Sequence, residues 1–355
     1  MLIKGVEITP CMLPRKDKDW HFALDATGQT GGWVVGVIGD GGQTGYGYAQ
    51  AVPHLGAGFH AVKAALDSFV PLLEGRDPFA IDARLADLDF ALLDNHQAKA
   101  GIDCALHDLK ARALGVPVYE VLGGKIRDSI PQLRILPLKK PTEMAVNAQR
   151  LVNAGYRYLK IKADGHVTED VERVRAVRKQ VGAEIHLTVD ANQSYDPKSA
   201  IQAIRRMEEF GIDLVEQPVP IDDFKGLALV THSVDTVIEA DESARSLTDV
   251  LTLASHRMVD AISIKIPKLG GLRRARTVAD ICSTAGVKFR VGAAMGSRLL
   301  AAACIHFAAA TPGIWYACEL AQFEELLGDP FEGLDVSNGE IRVPDAVGMG
   351  VRRRE

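Results

Sequence analysis

The period of apolar positions along the chain changes near residue 126. Before that point, LIKGVEITPCMLP (2–14), GGWVVGVIGDGG (31–42) and GYGYAQAV (45–52) read as strands bounded by Gly-rich turns. Three stretches of helical period follow: HAVKAALDSFVPLLEG (60–75), PFAIDARLADLDFALL (78–93) and AKAGIDCALHDLKARALG (98–115). The last stops at Gly115, with Pro117 close behind. Strands followed by helices predict an α+β domain over residues 1–125.

From residue 126 onward, strand and helix patterns alternate. Eight strands are expected: IPQLRIL, YLKIK, IHLTVD, DLVEQ, VIEAD, AISIK, VKFRVGA and IWYACEL. Helical segments lie between them, such as TEDVERVRAVRKQV (168–181), PKSAIQAIRRMEEF (197–210) and RRARTVADICSTA (273–285). Gly155, Gly211 and Gly286 follow helical runs and precede strands, where helix C-caps belong. Strand starts recur roughly every 25 residues, the length of one unit of a parallel (β/α)8 barrel. The fold class is therefore α/β, with a barrel catalytic domain over 126–320. Segment 321–355, rich in Gly, Asp and Pro, is too irregular for another unit and is expected to pack back on the first domain.

Composition narrows the setting. The 355 residues are 47% hydrophobic and 25% charged, ordinary for a globular enzyme. The net charge of −5 comes from interspersed Lys, Arg, Asp and Glu, which gives no basic face for nucleic acid. The one dense basic cluster, RRR at 352–354, reads as a frayed, solvated tail. Cys11, Cys104, Cys282, Cys304 and Cys318 are odd in number and scattered, against a disulfide framework or a zinc site. With no apolar run long enough for a signal peptide or a membrane span, a cytoplasmic protein is expected.

The chemistry lies at the strand ends. Asp190, Glu216 and Asp241 each close an apolar run, and Lys162 and Lys265 close the runs on either side of them. A single charge there is the ordinary way a strand meets water. Five charges at equivalent positions of five consecutive units share one barrel floor, where like charges repel unless a cation stands among them. Three carboxylates without His or Cys suit a hard divalent cation such as Mg2+, with Mn2+ as a possible substitute. Asn192, two residues past Asp190, is a candidate partner behind the ligands.

Lysine is a poor base at its ordinary pKa of about 10.4. Burial, a neighbouring lysine and a divalent cation would each lower it. Lys162 and Lys265, on the second and sixth strands of a closed barrel, are the candidate proton carriers, and Lys160 is an auxiliary cation. Such a site suits removal of the proton α to a carboxylate through an enediolate.

These residues resemble the enolase superfamily, in its muconate lactonizing enzyme subgroup (mandelate racemase/muconate lactonizing enzyme family). The resemblance rests on KIK (Lys160, Lys162), VDAN (Asp190, Asn192), EQP (Glu216), ADES (Asp241) and IKIPKLGGL (Lys265). It extends to GIDCALHDLKARALGVPVYEVLGGKIRDSIP (101–131), similar to the family's stretch between cap and barrel. It implies a modified barrel of the (β/α)7β type, an N-terminal capping domain whose loops close over the mouth, and a homo-oligomer. The seventh strand, VKFRVGAAM, lacks the His of mandelate-racemase-like members, so the lysine pair points to the muconate-lactonizing type.

The substrate is a small carboxylate whose identity these motifs leave open. Two opposed lysines favour a racemase or epimerase of an amino-acid derivative. A dehydratase of a hydroxylated, hydroxyproline-like amino acid and a muconate-type cycloisomerase share the same first half-reaction. From other classes, a metal-independent Schiff-base lyase and a non-catalytic carboxylate-binding protein are weighed and disfavoured. Glu319 in ACELAQF stands alone where dipeptide epimerases carry an Asp-x-Asp pair; it is expected to meet a cationic nitrogen or Lys265. Trp20, in the expected closing loop DWHFALDATGQTGG (19–32), is a candidate to cover a ring or a quaternary amine. His54 is a further pocket candidate, and Arg134 and Arg298 are candidates for a second carboxylate.

Overall fold

A computed structural model describes residues 1–24 and 30–354. Residues 25–29, within the expected closing loop, lie outside the described residues. Strands β1 (Ile3–Met12), β2 (Gly31–Gly39) and β3 (Thr44–Ala51) form an antiparallel sheet in the order β1-β2-β3. Helices α1 (Phe59–Leu73) and α3 (His96–Leu114) pack against it, and α2 (Ile81–Ala91) packs against both of them. Gly47 permits a very close approach of β3 to α3, because a Cβ there would overlap the carbonyl oxygen of Gly101. Gly115 caps α3 at φ 70°, a left-handed conformation that glycine adopts without strain.

A short helix α4 (Val118–Val121) and strand β4 (Ser129–Pro131) lead into the barrel. Its strands are β5 (Leu133–Leu136), β6 (Tyr158–Lys162), β7 (His186–Asp190), β8 (Leu214–Glu216), β9 (Val237–Ala240), β10 (Ala261–Lys265) and β11 (Lys288–Gly292). They are parallel and neighbour one another in chain order. Helices α5 (Pro141–Asn153), α6 (Val167–Val181), α7 (Pro197–Glu208), α8 (Phe224–Thr231) and α9 (Leu247–Ser255) follow the first five strands. A turn of helix, α10 (Ile266–Leu269), precedes α11 (Leu272–Ala285), and α12 (Arg298–Ala310) completes the ring.

The eighth stave is only a pair of bridges. Cys318 accepts from the N–H of Leu133 at 2.9 Å, and Glu319 donates to the Val291 carbonyl at 3.0 Å. Those bonds close the sheet, so seven strand–helix units and a final stave make the (β/α)7β form. The expected strand IPQLRIL is divided: β4 pairs with the tail, and only β5 joins the barrel.

Alternation along the strands separates core from site. On β6, Leu159 and Ile161 are buried against the helices, whereas Lys160 and Lys162 point inward. Each such apolar side chain stabilises the fold by roughly 1.5–3 kcal/mol. Beyond the barrel, the tail forms β12 (Phe331–Glu332), β13 (Val336–Ser337), β14 (Glu340–Arg342) and β15 (Arg352–Arg353). It reaches the first domain where Met349 N–H donates to Asp108 at 2.7 Å and the Tyr119 hydroxyl donates to Asp345 at 2.9 Å. The RRR cluster is exposed but not frayed, because Arg352 and Arg353 pair with β12. Among the described residues, no helix is long and apolar enough to cross a membrane.

Candidate active site

The register of the barrel carries the charged side chains to one end. Lys162 stands beside Asp190, and Asp190 beside Glu216, on adjoining strands. Just past the strands, Asn192 (φ 42°), Gln217 (φ 38°) and Ala294 (φ 58°) hold left-handed backbone, uncommon for residues with a Cβ and typical of site-shaping turns.

Each of the three carboxylates meets a lysine. Lys162 Nζ lies 2.6 Å from Asp190 Oδ2 and donates to Asn192 Oδ1 at 2.7 Å. Lys160 Nζ lies 2.5 Å from Glu216 Oε2. Lys265 Nζ lies 2.5 Å from Asp241 Oδ2 and 3.8 Å from Glu216 Oε1. Glu319 forms a close ion pair with Lys160, without the alignment of a hydrogen bond. The pairing expected with Lys265 therefore goes to Lys160.

At Lys160 and Lys265 these pairings reverse the expected lowering. Burial does oppose the charge on Lys160, but Glu216 and Glu319 outweigh it and hold the ammonium above the ordinary range. Burial is likewise outweighed at Lys265, chiefly by Asp241 and Glu216. On the acidic side, burial pushes Glu216 up, yet Lys160 and Arg290 bring it down to about 2. Burial is overcome at Asp241 by Lys265 and Lys268, which keep it well below the carboxylate range. Asp190 is raised, by burial first and then by Glu216.

Four contributors were not singled out from the sequence. Arg290, fully buried on β11, donates to Glu216 Oε2 at 2.6 Å and to Glu239 Oε2 at 2.6 Å. Lys268, on the turn after β10, donates to Asp241 Oδ1 at 2.8 Å. Glu242 accepts from Asn192 Nδ2 at 3.1 Å and is raised to about 7 by burial and by Asp241. The signal for Arg290 and Glu239 was alternation: each is a charge at an inward position of an apolar strand. Lys268 follows Lys265 by one turn.

Lys162, Lys265, Asp190, Asp241 and Glu319 line a cavity of about 320 Å3 whose far wall comes from the first domain. Trp20, Phe22, Gln50 and His54 stand on that wall. Trp20 meets Phe22 edge-on at 5.9 Å, Phe22 meets His54 at 5.4 Å, and Lys162 Nζ lies 5.0 Å from the Phe22 ring. The Trp20 face is covered by Arg15 at 4.9 Å. Two expected substrate contacts are corrected. Arg134 alternates outward on β5 and is tied to Glu324 at 2.8 Å and to Glu325. Arg298 begins α12, where it pairs with Asp329 and lies over Phe323 at 4.8 Å. Neither lines the cavity. A larger open groove between α6 and α7 carries none of the site residues.

Among the described residues, no three acidic, His or Cys side chains converge on one point as placed, because ammonium groups stand between the carboxylates. The donors nonetheless fit a hard cation. All are carboxylate oxygens on adjoining strand ends, and Glu216 Oε1 is buried without a hydrogen-bond partner.

Comparison with known proteins gives the site its family. Residues 8–123 match the mandelate racemase/muconate lactonizing enzyme N-terminal domain, and residues 143–355 match the enolase C-terminal domain-like family. A chloromuconate cycloisomerase of Cupriavidus necator is 35% identical over 330 residues, covering 91% of this chain and 86% of that protein. The L-Ala-D/L-Glu epimerase of Bacillus subtilis is 34% identical over 331 residues, covering 90% and 88%. The dipeptide epimerase of Enterococcus faecalis, solved with Mg and the dipeptide L-Leu-L-Tyr, superposes with a TM-score of 0.94 at 32% identity over 99% of both chains. The chain belongs to the mandelate racemase/muconate lactonizing enzyme family of the enolase superfamily, and it is an isomerase.

Proposed function

We propose that the enzyme removes the proton α to a substrate carboxylate and returns one on the opposite face, as a racemase or epimerase of an amino-acid derivative. Lys162 and Lys265 are the proton carriers in this reading, and Asp190, Glu216 and Asp241 hold Mg2+, for which Mn2+ substitutes. The observation that carries it is the meeting of lysines from β6 and β10 in one cavity that also contains Asp190 and Asp241. Bound there, Mg2+ would act as a Lewis acid, neutralising charge that develops on the substrate carboxylate.

The chain's own groups do the rest. The neutral amine of one lysine takes the α-proton, and the ammonium of the other delivers a proton to the opposite face. Asn192, accepting from Lys162, fixes the direction of that amine. Lys160 does not face the cavity; it holds Glu216 and Glu319. Trp20, Phe22 and His54 cover the reacting carbon and keep water from it.

The pairing of Glu319 with Lys160 bears on the substrate. Among the described residues, every acid lining the cavity already meets a lysine. That favours a nitrogen blocked as an amide over a free ammonium. Cycloisomerisation is the second reading, favoured by the relationship to chloromuconate cycloisomerase. Dehydration of a hydroxylated amino acid shares the same first step.

NMR of N-acylamino acids in 2H2O with Mg2+ tests the proposal. Loss of the α-1H signal with appearance of the antipode is expected, abolished by EDTA and without trapping by borohydride. Absence of α-exchange across N-acylamino acids, dipeptides and muconolactones would overturn it.

A further inference from the structure

Below the cavity floor, Arg290 reaches across the barrel interior with no exposed surface at all. Its Nη2 donates to Glu216 Oε2 and Glu239 Oε2, both at 2.6 Å, and its Nε donates to Glu239 Oε2 at 3.0 Å. Lys160 takes the same oxygen of Glu216 from the other side, at 2.5 Å. Two cations thus tie down Oε2, while Oε1 is buried without a hydrogen-bond partner, with Lys265 at 3.8 Å. Such an arrangement is expensive to keep in a barrel core, since a buried ion pair often contributes less than apolar residues of the same volume. Its geometry has a use: rotation of the carboxylate is restrained, and the other oxygen is left on the side of Lys265, which lines the cavity.

We propose that Arg290, with Glu239 as its counter-ion, is a positioning residue that locks Glu216 as a one-oxygen ligand and thereby tightens divalent-cation binding. The inference rests on the assignment of Glu216 as a metal ligand. Glu239 balances the charge of Arg290, so the pair orients the ligand without adding net positive charge beside the cation. The planar guanidinium matters because its Nε and Nη2 together fix its plane against Glu239 while Nη2 bridges to Glu216. A lysine at that place presents a single ammonium and cannot reproduce the fork.

The test is Mn2+ binding by electron paramagnetic resonance on the full chain, with Mg2+ calorimetry alongside. The double variant Arg290→Met/Glu239→Met removes the pair and keeps apolar volume in the core. It is expected to unfold in EDTA at or above the parent's temperature and to bind Mn2+ about 10- to 100-fold more weakly. A double variant that folds and binds within about twofold of the parent overturns the inference, because a tenfold loss is the least expected of a lost supporting contact. Should the double variant not fold, Arg290→Lys decides: severalfold weaker binding supports the role, and unchanged binding overturns it. If the parent itself binds no Mn2+, the metal-site assignment fails instead.

Discussion

Lys265 Nζ lies 2.5 Å from Asp241 Oδ2, while Lys268 holds the other oxygen of the same carboxylate at 2.8 Å. The proposed proton carrier of one half-reaction is therefore the partner of a candidate metal ligand. Lys265 is held above the ordinary lysine range because Asp241 and Glu216 outweigh its burial.

A cation and the Lys265 ammonium compete for Asp241, so metal binding should release protons. The apparent affinity for Mg2+ is expected to rise with pH as the lysine becomes easier to discharge. Calorimetry in buffers of different ionisation enthalpy reads both the affinity and the proton count.

Lys160 is the common partner of Glu216 and Glu319. Lys160→Met removes that partner and leaves buried carboxylate uncompensated. A loss of roughly 3–5 kcal/mol in urea unfolding, measured in EDTA, is expected.

Fully buried His306 accepts from the N–H of Tyr119 at 3.3 Å, and burial lowers its pKa from 6.5 to about 4. Its folded pKa lies below its unfolded one, so the unfolded chain binds the extra proton. Stability is fully present above pH 6.5 and is lost as pH falls toward about 4. The loss is on the order of 3 kcal/mol. Urea titrations across that window should show the fall, and His306→Gln should flatten it.

The first domain is tied to the barrel mouth by Asp17 and Lys139 at 2.8 Å and by the Leu138 N–H to the His21 carbonyl at 3.0 Å. The ion pair is partly exposed, and such pairs contribute about 0.2–1 kcal/mol. Lys139→Ala should raise KM by no more than about fivefold and leave kcat unchanged, in steady-state kinetics.

The sequence made the barrel legible because its units repeat and its candidate functional charges sit at equivalent strand ends. That pattern alone picked out Lys162, Asp190, Glu216, Asp241 and Lys265, which the fold gathers at one end of the barrel. Residue type alone does not place Arg134, because alternation decides its side; its neighbour Ile135, beside Lys160 in register, is the one that faces inward. Alternation points Arg290 and Glu239 inward, but a buried ion pair deep in a barrel has no motif that assigns it a role. The partner of Glu319 depends on the closure of the eighth stave, two bridges that no local pattern announces.

The two-base claim is tested most directly by following each enantiomer of a racemised substrate in 2H2O with Mg2+, using Lys162→Ala and Lys265→Ala. Each variant is predicted to lose racemisation while still exchanging the α-proton of one enantiomer, and the two variants should retain opposite ones. Racemisation by either variant within about tenfold of the parent would contradict the account, because a lost general base should cost about 100-fold or more.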